Sequence, residues 1–259
     1  MRFSMISFGA LLLASTAPAM AQDETAPAPA ITINGSATVV SDYKFRGISQ
    51  TDGNFAVQGG ITVSHESGFY VSVWGSSVDD YVTAHGSAHQ EIDLIGGFKK
   101  TFGGATFDVG ALYYVYPGTR ASGDNSASDF IEPYASISYA IGPVTAKGTV
   151  NYAPKQKALA LDQGASNTLK KNDNVYIAGD LSGAIPGVPL GLTAHLGHTF
   201  GPSWLSIGKE YTDWSVGATY TYKALTFGVS YVDTDGDFIT PTGKNASKGG
   251  VLGSIGVSF

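Results

Sequence analysis

From residue 31 to the end of the chain, apolar and polar positions alternate in short blocks. In 225–232 the residues Leu225, Phe227, Val229 and Tyr231 fall on one face, and Thr226, Gly228 and Ser230 on the other. Successive side chains of a strand point to opposite faces, so this period of two predicts strands. It yields about twelve segments: 31–40, 54–64, 69–78, 89–102, 105–116, 129–141, 144–153, 173–184, 190–200, 212–222, 225–232 and 249–259. Most reach the ~9–11 residues that a tilted strand needs to cross a bilayer. The last sets Val251, Gly253, Ile255, Val257 and Phe259 against Leu252, Ser254, Gly256 and Ser258 and ends on an aromatic residue.

The connections alternate in length. Those at 65–68, 103–104, 142–143, 185–189 and 223–224 are tight, whereas 41–53, 79–88, 117–128, 154–172, 201–211 and 233–248 are long. Short turns at one end and long loops at the other define a transmembrane antiparallel barrel with an even strand count and both termini at the turn end. The hairpins are in register: a two-residue turn at 223–224 sets Tyr222 opposite Leu225, Tyr220 opposite Phe227 and Ala218 opposite Val229. The turn at 103–104 aligns Phe98 with Val109 and Leu94 with Tyr113, and places Lys99 across from Asp108. Matching apolar faces is what pins register.

The face opposite the apolar stripe carries Glu91, Asp93, Lys99, Asp108, Glu132, Lys147, Asp180 and His195. A soluble barrel buries its apolar face. Here a closed sheet with these charges inward has a hydrated lumen, and its apolar face meets lipid. An open sheet is excluded, because hydrocarbon offers nothing to unpaired edge groups. The fold class is therefore all-β: a transmembrane antiparallel up-and-down β-barrel of about twelve strands. Phe69, Phe107, Tyr222, Leu225 and Phe259 lie at the turn ends and Tyr113, Trp214 and Tyr231 toward the loop ends, as two aromatic girdles.

The amino terminus reads as an export signal over 1–21: Arg2, an apolar run over 5–14 too short to span a bilayer, and Ala19-Met20-Ala21 before the cleavage point. A Pro- and Ala-rich leader follows over 22–30, leaving 31–259 as the barrel. With 0 cysteines the exported chain has no disulfide scaffold. Glycine, at 34 of 259 residues, is about double the usual ~7%. Removing Arg2 from the 15 basic residues leaves 14 against 21 acidic, a net charge of −7, which argues against nucleic acid as a partner. The predicted location is the outer membrane of a Gram-negative-type envelope.

The stretch Ser41-Asp42-Tyr43-Lys44-Phe45-Arg46-Gly47-Ile48-Ser49-Gln50-Thr51, together with Gln58-Gly59-Gly60, Ser67-Gly68-Phe69-Tyr70, Trp74, Tyr113 to Gly118 and Glu132-Pro133-Tyr134, resembles the TorF-type porin family. The likeness runs through the whole barrel segment and is weakest over 154–172. It implies an outer-membrane barrel and porin activity, without a substrate. The aromatic ending is similar to the closing strand of outer-membrane barrels, which implies handling by the outer-membrane assembly machinery through the strand ending at Phe259.

A porin-like channel for ions or small solutes is the expected function, and its chemistry lies in the lumen. Inward acids Glu91, Asp93, Asp108, Glu132 and Asp180 outnumber inward Lys99 and Lys147, which predicts a mild preference for cations; equally, these charges pair across the lumen and brace the barrel. Tyr70, Trp74, Tyr114, Tyr116, Tyr134 and Tyr176 point inward, so the pore should be narrow. Lys44 and Arg46, where the first strand meets its long loop, either form a basic constriction at the mouth or tie the loop to acids such as Glu91 or Glu132. Lys155, Lys157, Lys170 and Lys171 in the longest loop face solvent or lipopolysaccharide. The bilayer, lipopolysaccharide and small solutes are the expected partners.

Rival readings are a non-conducting structural or binding barrel and, less favoured, an outer-membrane lipase or protease. A lipase needs a serine beside a lipid-facing histidine. His198 faces outward with Val175, Ile177, Trp214 and Val216 as its expected neighbours, so no catalytic residue is assigned. No cofactor and no metal site are predicted: Asp233, Asp235 and Asp237 lack the glutamate that closes a calcium loop, and their Gly236 comes too early.

Overall fold

Period-two alternation becomes strand after strand. Barrel strands are β1 (Ile31–Val40), β4 (Ala56–His65), β5 (Phe69–Ser77), β6 (Gln90–Phe102), β7 (Ala105–Val115), β8 (Phe130–Ile141), β9 (Val144–Gln156), β10 (Asn172–Ala184), β11 (Leu190–Phe200), β12 (Tyr211–Tyr222), β13 (Leu225–Thr234) and β14 (Gly250–Ser258). Two short strands, β2 (Lys44–Phe45) and β3 (Ile48–Ser49), pair with each other inside the first long loop. The computed structural model describes residues 29–83, 88–119, 128–161 and 170–259, so the predicted signal segment 1–21 and the leader as far as residue 28 lie outside the described residues.

Each barrel strand pairs antiparallel with its sequence neighbour, and β1 closes the ring by pairing with β14 on one side and β4 on the other. Tyr222 faces Leu225, Lys99 faces Asp108 and Leu94 faces Tyr113, the registers read from the turn lengths. At 103–104 both glycines take positive φ, 55° and 86°, the conformation that a two-residue hairpin with the right strand twist demands.

Strand ends shift by a few residues from the alternation pattern, with a physical cause at β9. This strand runs three residues past the predicted end at Ala153, over Pro154, which has no N–H to donate to a ladder. The Gln156 side-chain amide supplies the bonds instead: its Oε1 accepts from the Ile131 N–H at 2.8 Å and its Nε2 donates to the Ile131 carbonyl at 2.8 Å.

The outer face is apolar and exposed: Ile33, Val57, Val71, Val109, Ile137, Leu196, Val216 and Val251 are all at least 47% accessible. Water would oppose such a girdle at roughly 25 cal/mol per Å² of apolar surface. An 11-residue strand such as β7 extends about 36 Å and, tilted by about 45°, spans about 26 Å, the height of a hydrocarbon band. Phe69, Phe107, Tyr222 and Phe259 ring the turn end of this surface, and Tyr113, Trp214 and Tyr231 the loop end. Inside, the turn-end and loop-end halves differ. The loop-end half is filled with buried side chains, among them Tyr43, Arg46, Glu91, Asp93, Tyr114, Glu132, Asn174 and Tyr176.

Candidate lumen constriction

The filling comes from the first long loop, which turns inward rather than lying over the mouth. Its base is locked by Asp42, whose carboxylate accepts from the Ser49 hydroxyl at 2.6 Å and the Thr51 hydroxyl at 2.9 Å. The β2–β3 pair then forms a miniature hairpin with Arg46 and Gly47 at its tip, at φ 47° and 81°. A non-glycine residue in the left-handed region costs about 1–2 kcal/mol, so the contacts of Arg46 must exceed that. Gly47 is needed for room: a Cβ there would stand 2.8 Å from Thr234 Cβ and 3.0 Å from Asp213 Cβ, on β13 and β12.

From a tip seated on that wall, Arg46 reaches β8. Its Nη2 donates to both oxygens of Glu132, at 2.7 and 2.8 Å, and its Nη1 to Asn174 Oδ1 at 3.3 Å. The guanidinium lies 4.1 Å from the Tyr176 ring centroid and 4.7 Å from that of Phe45. Glu132 also accepts from Tyr114 and Asn151. In the ring of strands β9, β10 and β11 separate β8 from β12, so the loop bridges the lumen.

Lys44 does not pair with a wall acid. Its ammonium donates to three backbone carbonyls, Gly47, Ala246 and Lys248, at 3.2, 3.3 and 2.8 Å, which ties the first loop to the last. Burial pushes its pKa down, opposed by the charges of Asp42 and Asp233. Asp52 makes a second tie: it accepts from the hydroxyls of Thr240 and Thr242 at 3.0 and 2.8 Å, with Lys244 Nζ 3.2 Å away. Burial raises its pKa, but the bonds from Thr242, Lys244 and Thr240 outweigh burial and the net shift is down.

Beside the hairpin, Glu91 accepts from the hydroxyls of Tyr43 and Tyr116, both at 2.8 Å. The Tyr43 ring meets Trp74 edge-on at 5.6 Å. Asp93 is directly paired across the sheet with Trp74 on one side and Tyr114 on the other. Toward the loops lies a cavity of about 200 Å³ lined by Phe45, Tyr81, Tyr116, Phe130, Trp204 and Tyr211 among others.

The remaining expected residues form two groups, the first in the turn-end half and the second at mid-height. Asp108 accepts from Tyr70 at 2.8 Å and from Tyr134 at 3.3 Å and faces Lys99 Nζ at 3.4 Å, while Tyr70 and Tyr134 also bond each other. The other group centres on His195, whose Nδ1 lies 2.7 Å from Asp180 and whose Nε2 lies 3.0 Å from Asp213 and 2.9 Å from the Tyr176 hydroxyl. Lys147, paired in register with Asp180, makes no hydrogen bond or ion pair among the described residues.

Sequence reasoning missed Asp213 and Asn174 as lumen groups. Both were readable by parity, since Trp214 and Val175 were set outward on the same strands. For His198 the register corrects the expected neighbours: it faces Thr212, not Trp214 or Val216, with Nδ1 2.9 Å from the Thr212 hydroxyl. Glu210 stands 3.9 Å from its other nitrogen, beyond hydrogen-bond reach.

Two solved structures share the fold. The NanC porin aligns at a TM-score of 0.56 and 13% identity over 88% of this chain and 99% of that one. The KdgM porin aligns at 0.52 and 9% identity, over 88% and 97%. No curated protein sequence matches the chain. Over residues 24–254 the sequence matches the model of a family described as a bacterial protein of unknown function, and the likeness to TorF-type porins stays a resemblance of motifs. The chain belongs to the bacterial family of unknown function designated Gcw_chp.

Proposed function

We propose that the protein is a narrow outer-membrane channel for ions or small solutes, exported with removal of its signal segment. The observation that carries this reading is a closed barrel, apolar outside and charged within, whose first loop crosses the lumen at Arg46 and Glu132. A loop folded into a barrel narrows the path to a few side chains, which then set selectivity by charge. Wall acids Glu91, Asp93, Asp108, Glu132, Asp180 and Asp213 outnumber Lys44, Arg46, Lys99 and Lys147, favouring cations. The structural neighbours are themselves named porins, which agrees with this reading. Lipid and lipopolysaccharide cover the outer face, and the assembly machinery engages the strand that ends at Phe259.

Planar-bilayer recording of the folded protein tests it. The expected result is small, discrete conductance with a reversal potential toward potassium in a KCl gradient. A reversal potential toward chloride overturns the cation preference.

A second reading has its own support. The hairpin leaves Tyr43, Arg46, Glu132, Asn174 and Tyr176 each 4% exposed or less, the packing of a plug. A folded barrel that passes no current in bilayers would establish this non-conducting barrel over the channel.

A further inference from the structure

Seven aromatic side chains line the cavity on the loop side of the hairpin, and no charged side chain joins them among the described residues. At about 200 Å³ it exceeds the roughly 150 Å³ of a dry protein cavity that admits benzene, leaving room for one small substituent. Its walls are set before anything binds. The Trp204 indole N–H donates to the Val82 carbonyl at 3.2 Å, and reciprocal bonds between Ser203 and Ser206 cap the short 3-10 helix Trp204–Ser206. Asn174 ties that turn to β10 through Ser203 Oγ at 3.1 Å. Ile207, on the same wall, holds φ 48°, a left-handed backbone that a β-branched residue rarely adopts. Strain of that kind persists where the surroundings over-determine it, commonly at ligand sites. The floor is the β2–β3 hairpin and the residue after it, through Phe45, Ile48 and Gln50. Gln50 Nε2 donates to the Ile48 carbonyl at 2.9 Å, whereas its Oε1 accepts no hydrogen bond among the described residues. An aromatic chamber without charge thus keeps an open acceptor.

We infer that this cavity binds a neutral molecule of one aromatic ring bearing a single hydroxyl, of the size of benzyl alcohol. The ring packs among the aromatic walls and the hydroxyl donates to Gln50 Oε1. A carboxylate or an ammonium would give up its hydration to a chamber whose described lining offers no opposite charge. A sugar ring of the same size brings several hydroxyls to one open acceptor and leaves most of them unpaired. A wholly apolar ring leaves Gln50 Oε1 unmet. Because the floor belongs to the loop that crosses the lumen, an occupant rests directly on the constriction. Binding needs no current through the barrel, so the inference stands apart from the channel reading.

The detergent-folded chain labelled with 5-fluorotryptophan gives resonances for Trp74, Trp204 and Trp214, assigned by Trp→Phe variants. Benzyl alcohol should shift the Trp204 resonance saturably, while lipid-facing Trp214 reports partition into the micelle as a linear drift. Benzoate should bind at least about tenfold more weakly, and methyl glucoside should give no saturable shift. Gln50→Leu should weaken benzyl alcohol by about three- to tenfold and leave toluene unchanged. No saturable shift at Trp204, equal binding of benzoate, saturable binding of the glucoside, or a Gln50→Leu variant with unchanged affinity for benzyl alcohol overturns the inference. Should Gln50→Leu not fold, Val82→Phe puts a ring into the cavity and keeps the backbone carbonyl that meets Trp204. It should abolish the saturable shift, and retained binding also overturns the inference. Saturable binding in a protein that passes no current would uphold the site and remove the channel.

Discussion

The two halves of the lumen are built from the same alternating strands yet differ in what fills them. At the turn end the wall closes on itself, with Lys99 meeting Asp108 one strand away, and at mid-height His195 links Asp180 to Asp213 on the flanking strands. At the loop end the wall acids are met from across the barrel by a hairpin that belongs to no barrel strand. Contacts between neighbouring strands brace a tube without narrowing it, whereas a contact that crosses the lumen both braces and obstructs. Constriction is therefore a property of the first loop, and the wall only receives it.

The sharpest way to break this contrast is to replace 43–51 with a short Gly-Ser linker. The turn-end half stays intact, and single-channel conductance should rise at least several-fold, since the narrowest passage sets resistance. An unchanged conductance would place the constriction in the turn-end half.

Next in size is Arg46→Ala. It strands Glu132, 0% exposed, as an uncompensated charge, a change worth roughly 3–5 kcal/mol in a buried pair. Denaturant unfolding of the detergent-folded barrel should show this loss, and Arg46→Ala with Glu132→Gln should recover part of it. In the other half Lys99→Met, whose partner stays in contact with Tyr70, should cost at most about 1 kcal/mol. Equal losses would erase the distinction between the halves.

This pair also shows what could be read from the chain. Strand number, register and inward residues followed from side-chain period and turn length, because both act within a few residues along the sequence. Glu132 was one of two acids set against Arg46 in advance. The inward course of the loop was not visible: Lys44-Phe45-Arg46-Gly47 carries no local signal beyond one glycine, and its seat on Thr234 and Asp213 lies far away in sequence. Asp213 shows the opposite failing, a residue that parity assigned inward and attention to the apolar face passed over.

Asp213→Asn sharpens the boundary between the halves, since Asp213 touches the hairpin tip on one side and His195 and Tyr176 on the other. Loss of a charged acceptor from a buried network costs about 1–3 kcal/mol, so unfolding should fall between the two previous variants. A smaller loss than that of Lys99→Met would show that the network does not join the halves.

The mildest perturbation is acid, applied to the ties that hold the first loop to the last. The folded pKa of Asp52 lies below its ordinary value, so its contribution is complete above the unfolded carboxylate range near about 4 and is lost as pH falls through the lower, folded pKa. Above that range the Thr240 and Thr242 hydroxyls and Lys244 all meet a charged carboxylate. Hydrogen exchange over 238–246 should therefore keep its protection from neutral pH down to about pH 5 and lose it at lower pH, while the turn-end strands keep theirs. Asp52→Asn should lower protection at neutral pH and flatten the acid dependence. If the variant keeps the acid step, the tie titrates through a group other than Asp52; Lys44 is not that group, because its ammonium donates to backbone carbonyls.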